Sequence, residues 1–145
     1  MDIYVLLEGV IEKRKKIKEE LEKKLEEVKT RLSSTEKGSF SYEKLLKKQK
    51  HIEKELEKYP AWYCLTKKEF SEWYYKESEK IYEQMKLLKG KVVCEKCNKT
   101  IDDPRNMRFF HGSVYDPGCY FEIAIEDLKG KDDLEQEFIL RTLQL

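Results

Sequence analysis

Long apolar runs are missing from this chain. No stretch approaches the roughly eighteen consecutive apolar residues that a membrane-spanning helix needs. Histidine is scarce: His51 and His111 are the two, and they fall in different segments, so no Ser-His-Asp constellation is expected. The six glycines and three prolines include no glycine-rich loop of the kind that cradles phosphates. No enzyme is expected on these grounds. Two asparagines and four glutamines stand beside abundant Lys and Glu, a balance that leans toward a hot habitat. The start, MDIYVLLEGVIEK, lacks a basic leader region and a small-residue cleavage site. No signal peptide is read there, and the expected compartment is the cytoplasm.

What the chain has in quantity is charge. Of 145 residues, 41% are charged and 39% hydrophobic. That is too little apolar material for a thick core and too much for disorder. It suits long amphipathic helices with a narrow apolar seam. Residues 1–91 hold 23 Lys/Arg against 18 Asp/Glu, a net +5, and residues 92–145 carry −4. So mild a balance argues against a dedicated DNA binder.

The seam is legible. From Ile3 the apolar residues fall at Leu7, Val10, Ile17, Leu21, Leu25, Val28 and Leu32, in threes and fours, and only the Arg14 slot breaks the pattern. A helix over about residues 2–34 is predicted, about 50 Å long. SSTEKGSFS then supplies turn chemistry near residues 33–41. Ser41 can cap a second helix whose seam is Leu45, Gln49, Ile52, Leu56 and Tyr59, ended by Pro60. The shorter second helix covers half of the first, so a third element must cover Ile3–Ile11. Thr66 and Glu69 form a capping box for it. Phe70, Trp73, Tyr74, Ile81, Met85 and Leu88 give its apolar face, and Gly90 ends it. A last helix is expected from Asp132 or Asp133, presenting Leu134, Phe138, Leu140 and Leu143.

The expected fold is therefore mainly α: a long antiparallel helical hairpin on a three-helix base, with a small zinc-knuckle β-hairpin module and a C-terminal helix. The expected division is residues 1–90 for the helical part and 91–145 for the zinc module with the last helix.

Cys94, Cys97 and Cys119 share one segment, while Cys64 stands in PAWYCL and reads as core. A CxxC pair with a distant third cysteine reads as a metal site before a disulfide. MRFF and SVYD look like strands joined by His111-Gly112. That hairpin returns Asp116 toward Cys119 and leaves His111 about 12 Å away at the turn. Spacing thus favours Cys94, Cys97, Asp116 and Cys119. Ligand chemistry pulls toward His111, because neutral imidazole is the commoner partner of three thiolates. Both remain candidates for the fourth ligand of a closed, structural zinc site.

Three resemblances follow. Gly112, Tyr115, Asp116, Cys119 and Tyr120 after the CxxC knuckle are similar to half of a LIM domain, with Asp116 where that family has His. A helical hairpin followed by CEKCNKTI resembles the DksA/TraR class of RNA polymerase factors, which push a hairpin into a polymerase channel. The turn here carries Glu36 beside Lys37 and no carboxylate pair, so obstruction is implied rather than catalysis. In length, Lys/Glu/Tyr-rich composition and hairpin, the whole chain resembles RNA polymerase inhibitory proteins of archaeal viruses such as the Acidianus two-tailed virus.

That last resemblance implies binding in the DNA channel of a host RNA polymerase, in the host cytoplasm, with the virion as a second location. Contacts are then expected at Glu19, Glu20, Glu26 and Glu27, which can pair with a basic channel lining, and at Glu36, Lys37, Lys47 and Lys48. Taken singly, such charge runs are ordinarily the solvated face of a helix. Two other expectations stand beside it. One is a nucleic-acid contact through Arg105, Arg108, Phe109, Phe110 and His111, opposed by the −4 charge of that end. The other is a scaffold or virion protein assembling through its helices.

Overall fold

The computed structural model describes residues 3–145. Among them run six α-helices: α1 (Ile3–Leu7), α2 (Val10–Ser33), α3 (Phe40–Leu56), α4 (Lys67–Lys89), α5 (Pro117–Asp127) and α6 (Asp133–Thr142). The strands β1 (Arg108–Phe110) and β2 (Ser113–Tyr115) form one antiparallel ribbon. The mainly helical class is as expected, with its helical hairpin, small β-hairpin module and terminal helix. The chain forms two compact units, Leu7–Thr66 and a second made of residues 3–6 with Lys67–Leu145. This division departs from the expected boundary at residue 90, because α4 packs into the cysteine-bearing module: Tyr82 shares a buried cluster with Val92, Cys94, Ile101, Met107 and Val114.

In the first unit α2 and α3 fold back on each other. Ser39, not Ser41, caps α3, its hydroxyl accepting the Tyr42 N–H at 3.1 Å; such a cap is worth about 1 kcal/mol. The seam buries Ile11, Val28 and Ile52 and half-buries Leu21, Leu25, Leu45 and Leu56. Arg14, the irregular slot, is also buried. Its guanidinium lies 3.7 Å from the centre of the Tyr63 ring and donates to the Tyr63 carbonyl at 3.2 Å. The pattern breaks there because an arginine stacked on an aromatic can do the work of a core residue.

The single long first helix is not observed. Gly9 sits at φ +83° and separates α1 from α2, a left-handed conformation that costs glycine nothing. The expected start at residue 2 lies outside the described residues. Val5 and Leu6 are exposed rather than covered.

In the second unit α4 follows Thr66, which occupies the predicted cap position, and ends at Gly90, φ +78°. Its buried stripe is Phe70, Tyr74, Ser78 and Tyr82. Leu88 lies beyond that stripe and is 84% exposed. Helices α1, α4 and α6 converge on Arg141, whose guanidinium lies 5.2 Å from the Tyr4 ring centre and 5.4 Å from that of Phe70. Glu137, one turn back on α6, approaches its Nε at 3.4 Å.

His111 (φ +49°) and Gly112 (φ +79°) make the turn between β1 and β2, the two-residue, twice-positive geometry that suits strand twist. Phe109 pairs with Val114, and its own N–H and C=O face the outer edge of β1. Tyr74 serves both: its hydroxyl accepts the Phe109 N–H at 2.8 Å and donates to the Phe109 carbonyl at 3.1 Å. Its ring stacks on Phe109 with centroids 4.3 Å apart. Burial pushes the Tyr74 hydroxyl well above the ordinary tyrosine range.

Candidate metal centre

Residues 92–101 form a small loop around the first two cysteines. Ile101 N–H bonds to the Val92 carbonyl at 2.8 Å and Cys94 N–H to the Lys99 carbonyl at 2.9 Å. Asn98 N–H closes the bend on the Cys94 carbonyl at 2.9 Å. Asn98 takes φ +61° to do so, a conformation asparagine tolerates better than most residues. The Glu95 N–H then reaches the Val114 carbonyl at 3.0 Å. That bond fastens the knuckle to β2, whose next residues lead to Asp116 and α5.

The result is a group of four: one ligand atom each from Cys94, Cys97, Asp116 and Cys119, all within 4.8 Å of one another. Ligands at about 2.3 Å from a tetrahedral centre lie about 3.7 Å apart, so three sulfurs and a carboxylate oxygen at this spacing can hold a metal ion. Cys94 is fully buried against Met107 and Val114, Asp116 and Cys119 are half-buried, and Cys97 is exposed. The floor of the site is apolar and one side faces solvent.

His111 is not part of this group. It stays at the hairpin turn, 55% exposed, with Nε2 3.8 Å from a Glu135 carboxylate oxygen. Of the two candidates for the fourth position, the fold brings Asp116 to the cysteines.

The four groups perturb one another's protonation. The Cys119 N–H, then the Cys97 thiol, hold the Asp116 carboxyl down at about 2. Cys97 Sγ lies 3.1 Å from Asp116 Oδ2. Burial pushes the Cys94 thiol up, but backbone N–H groups of Cys97, Asp116 and Lys96 outweigh it, leaving that thiol below its ordinary value. At Cys97 the Lys99 N–H pulls down and the Asp116 carboxylate pushes up, with a net rise. Burial first, then Cys97, Cys94 and Asp116, push Cys119 up to about 12. Four adjacent anions repel one another; a dication reverses that logic and draws the protons off.

Reading the sequence missed α5 altogether. Its signal was present: Asp116 at the cap and Pro117 at the first helical position are a helix start. Also missed was the Lys96–Glu122 ion pair, which ties the knuckle to α5. Phe109 and Phe110, expected at a nucleic-acid contact, are instead packed: Phe109 on Tyr74, and Phe110 in a cluster with Tyr120, Ala124 and Ile139. Arg105 and Arg108 flank Tyr75, their guanidiniums 5.8 and 5.9 Å from its ring centre.

The expected partner contacts all lie in the Leu7–Thr66 unit. Glu19, Glu20, Glu26, Glu27, Glu36, Lys37, Lys47 and Lys48 are each exposed. Beside the α2–α3 turn a groove is lined by Arg31, Lys44 and Lys48 with Leu45, and Phe40 at the start of α3 is 83% exposed. His51 is exposed and Cys64 buried, as expected. No described helix is long and apolar enough to cross a membrane. Comparison with protein families, with curated proteins and with solved structures returns no match.

Proposed function

We propose that this protein is a binding protein rather than an enzyme, that its target is a host RNA polymerase, and that the α2–α3 hairpin enters the DNA-binding channel and blocks transcription. The observation that carries this reading is the hairpin itself. Two helices of 24 and 17 residues bury one thin seam and leave their charged faces free. The acidic positions Glu19, Glu20, Glu26 and Glu27 can substitute for DNA phosphates against a basic lining. Exposed Phe40 and the basic groove at the turn add an anchor of the kind that dominates interface energies.

The metal in this reading is structural zinc. Cys94, Cys97, Cys119 and Asp116 supply four protein ligands, the number that closes a zinc site and leaves no position for a substrate. When bound, zinc contributes folding energy to a unit with few aliphatic residues.

Size-exclusion chromatography with purified archaeal RNA polymerase at physiological salt tests the proposal. Stable co-elution, with loss of promoter-dependent transcription, is expected. Failure to co-elute with an active polymerase overturns it. A second reading, assembly through helices as a scaffold or virion component, draws on the exposed Phe121 and Ile125 of α5. It gains if the protein alone forms concentration-dependent oligomers.

A further inference from the structure

We infer that Asp116 performs two tasks with its two carboxylate oxygens: Oδ2 ligates the metal and Oδ1 caps α5, so that ion binding and formation of the first turn of α5 are one event. The inference rests on the metal reading above and assigns roles within it.

Oδ1 accepts the Cys119 N–H at 2.8 Å, the bond from N-cap to third helical residue that starts α5. The other oxygen, Oδ2, lies 3.1 Å from Cys97 Sγ, and the Asp116 carboxylate belongs to the ligand group. Few side chains can do both. Histidine in its place offers a metal one nitrogen and the helix no acceptor. Cysteine offers one sulfur, and asparagine has a single oxygen to divide between the tasks. A carboxylate has two. The departure from the His of the half-LIM pattern thus has a physical reason: this ligand position is also a helix cap.

Cys119 strengthens the link. It is the third residue of α5 and a ligand in its own right. An ion held by Asp116 and Cys119 ties together the same two positions that a capping box ties by hydrogen bonds. Farther along, α5 carries Tyr120 and Ala124 into the cluster with Phe110 and Ile139 of α6. Tyr120 also bonds the Thr142 hydroxyl at 2.6 Å, and Thr142 in turn donates to the Ile139 carbonyl at 2.7 Å. Loosening the first turn of α5 therefore loosens the seating of α6.

The experiment uses the full chain as wild type, Asp116→Asn and Asp116→Cys. Zinc affinity is read by competition with a chromophoric chelator, and protection of the α5 amides by hydrogen exchange in the zinc-bound state. Wild type is expected to bind one zinc. Asp116→Asn is expected to bind at least about tenfold more weakly, a loss that even an outer-shell change produces. Asp116→Cys is expected to keep zinc while its first-turn α5 amides exchange about fivefold faster, the effect of a lost N-cap. Equal zinc affinity in Asp116→Asn overturns the ligand role. Equal protection in zinc-bound Asp116→Cys overturns the capping role. A wild-type chain that takes up no zinc overturns the metal reading itself, and that stoichiometry is read before either variant is made.

Discussion

The two compact units solve the problem of a small core in different ways. In Leu7–Thr66 the well-buried side chains are few: Ile11, Arg14, Val28 and Ile52 along α2 and α3, with Leu7 and Cys64 beside them. Leu21, Leu25, Leu45 and Leu56 are half-buried, and most of the remaining α2 and α3 surface is exposed and charged. In the second unit the core is aromatic and cross-braced. Tyr74, Tyr82 and Tyr120 each bury a ring and send the hydroxyl to a partner distant in sequence: Phe109, Ile101 and Thr142. Four groups that can hold a metal ion, Cys94, Cys97, Asp116 and Cys119, then gather within 4.8 Å of one another. One unit is economical inside so that its outside is available; the other uses tyrosines, and a cluster that can hold a metal, where aliphatic volume is short.

The largest break in that comparison comes from metal removal. The proposed structural zinc would supply an apparent 10–16 kcal/mol or so, so on that proposal a strong chelator is expected to unfold the second unit. The α2–α3 hairpin has no ligand in it and should keep its helical signal. Circular dichroism at 222 nm, followed beside near-ultraviolet aromatic bands, reads the two responses. Equal loss of both would show that the metal supports the whole chain.

Next in size is Tyr74→Phe. The ring stack on Phe109 survives, but the Phe109 N–H and C=O both lose their partner. An unpaired buried polar group costs about 1–3 kcal/mol, so a loss of about 2–4 kcal/mol is expected in denaturant unfolding of the second unit. A loss below about 0.5 kcal/mol would mean that water serves that strand edge as well as tyrosine does. Arg14→Ala is the matching change in the hairpin. Removing the Tyr63 stack and its carbonyl bond should cost about 1–2 kcal/mol there and leave the metal unit's stability unchanged.

How far these features were legible depends on whether they show in one side chain or need two. The turn at His111-Gly112 and the cysteine spacing are local patterns, and the structure carries them; the α2 seam holds at Leu21, Leu25 and Val28, but Val10 and Ile17 are exposed. Gly9 was visible, yet the apolar periodicity on either side of it concealed the break at φ +83°. Arg14 read as an interruption because its partner Tyr63 is 49 residues away. Ser78 is fully buried with its hydroxyl on the Tyr74 carbonyl; no hydrophobic pattern flags a serine. Asp116 was named as a ligand on spacing, but its second role at the head of α5 required reading Asp116-Pro117 as a helix start rather than as part of the cysteine motif. Leu88 followed the helical period and still ended 84% exposed, because period says nothing about where the opposing surface stops.

Alkaline pH should separate the units more gently. Burial raises both Tyr74 and Tyr120 above the ordinary value of 10.0. A raised folded value means the unfolded chain releases those protons first, so their contribution is intact below about pH 10 and fades as pH rises above it. Unfolding of the second unit is expected to begin above pH 10 and to coincide with that part of the tyrosinate absorbance at 295 nm which Tyr74→Phe and Tyr120→Phe remove. If that part appears well before unfolding, these hydroxyls are in contact with water.

The smallest effect on stability is expected from the residues that matter most for the proposed function. Glu19, Glu20, Glu26 and Glu27 are exposed on α2, where single substitutions usually change stability by no more than about 0.5 kcal/mol. Reversing all four to lysine should leave the hairpin folded, with a melting temperature close to that of the wild type. It should nonetheless weaken polymerase co-elution sharply, because like charge against a basic lining repels where the native charge attracted. Raising the salt concentration should weaken wild-type binding and partly relieve the repulsion in the reversed variant. If co-elution persists unchanged after reversal, affinity resides elsewhere, and Phe40 with the Arg31, Lys44 and Lys48 groove becomes the surface to alter.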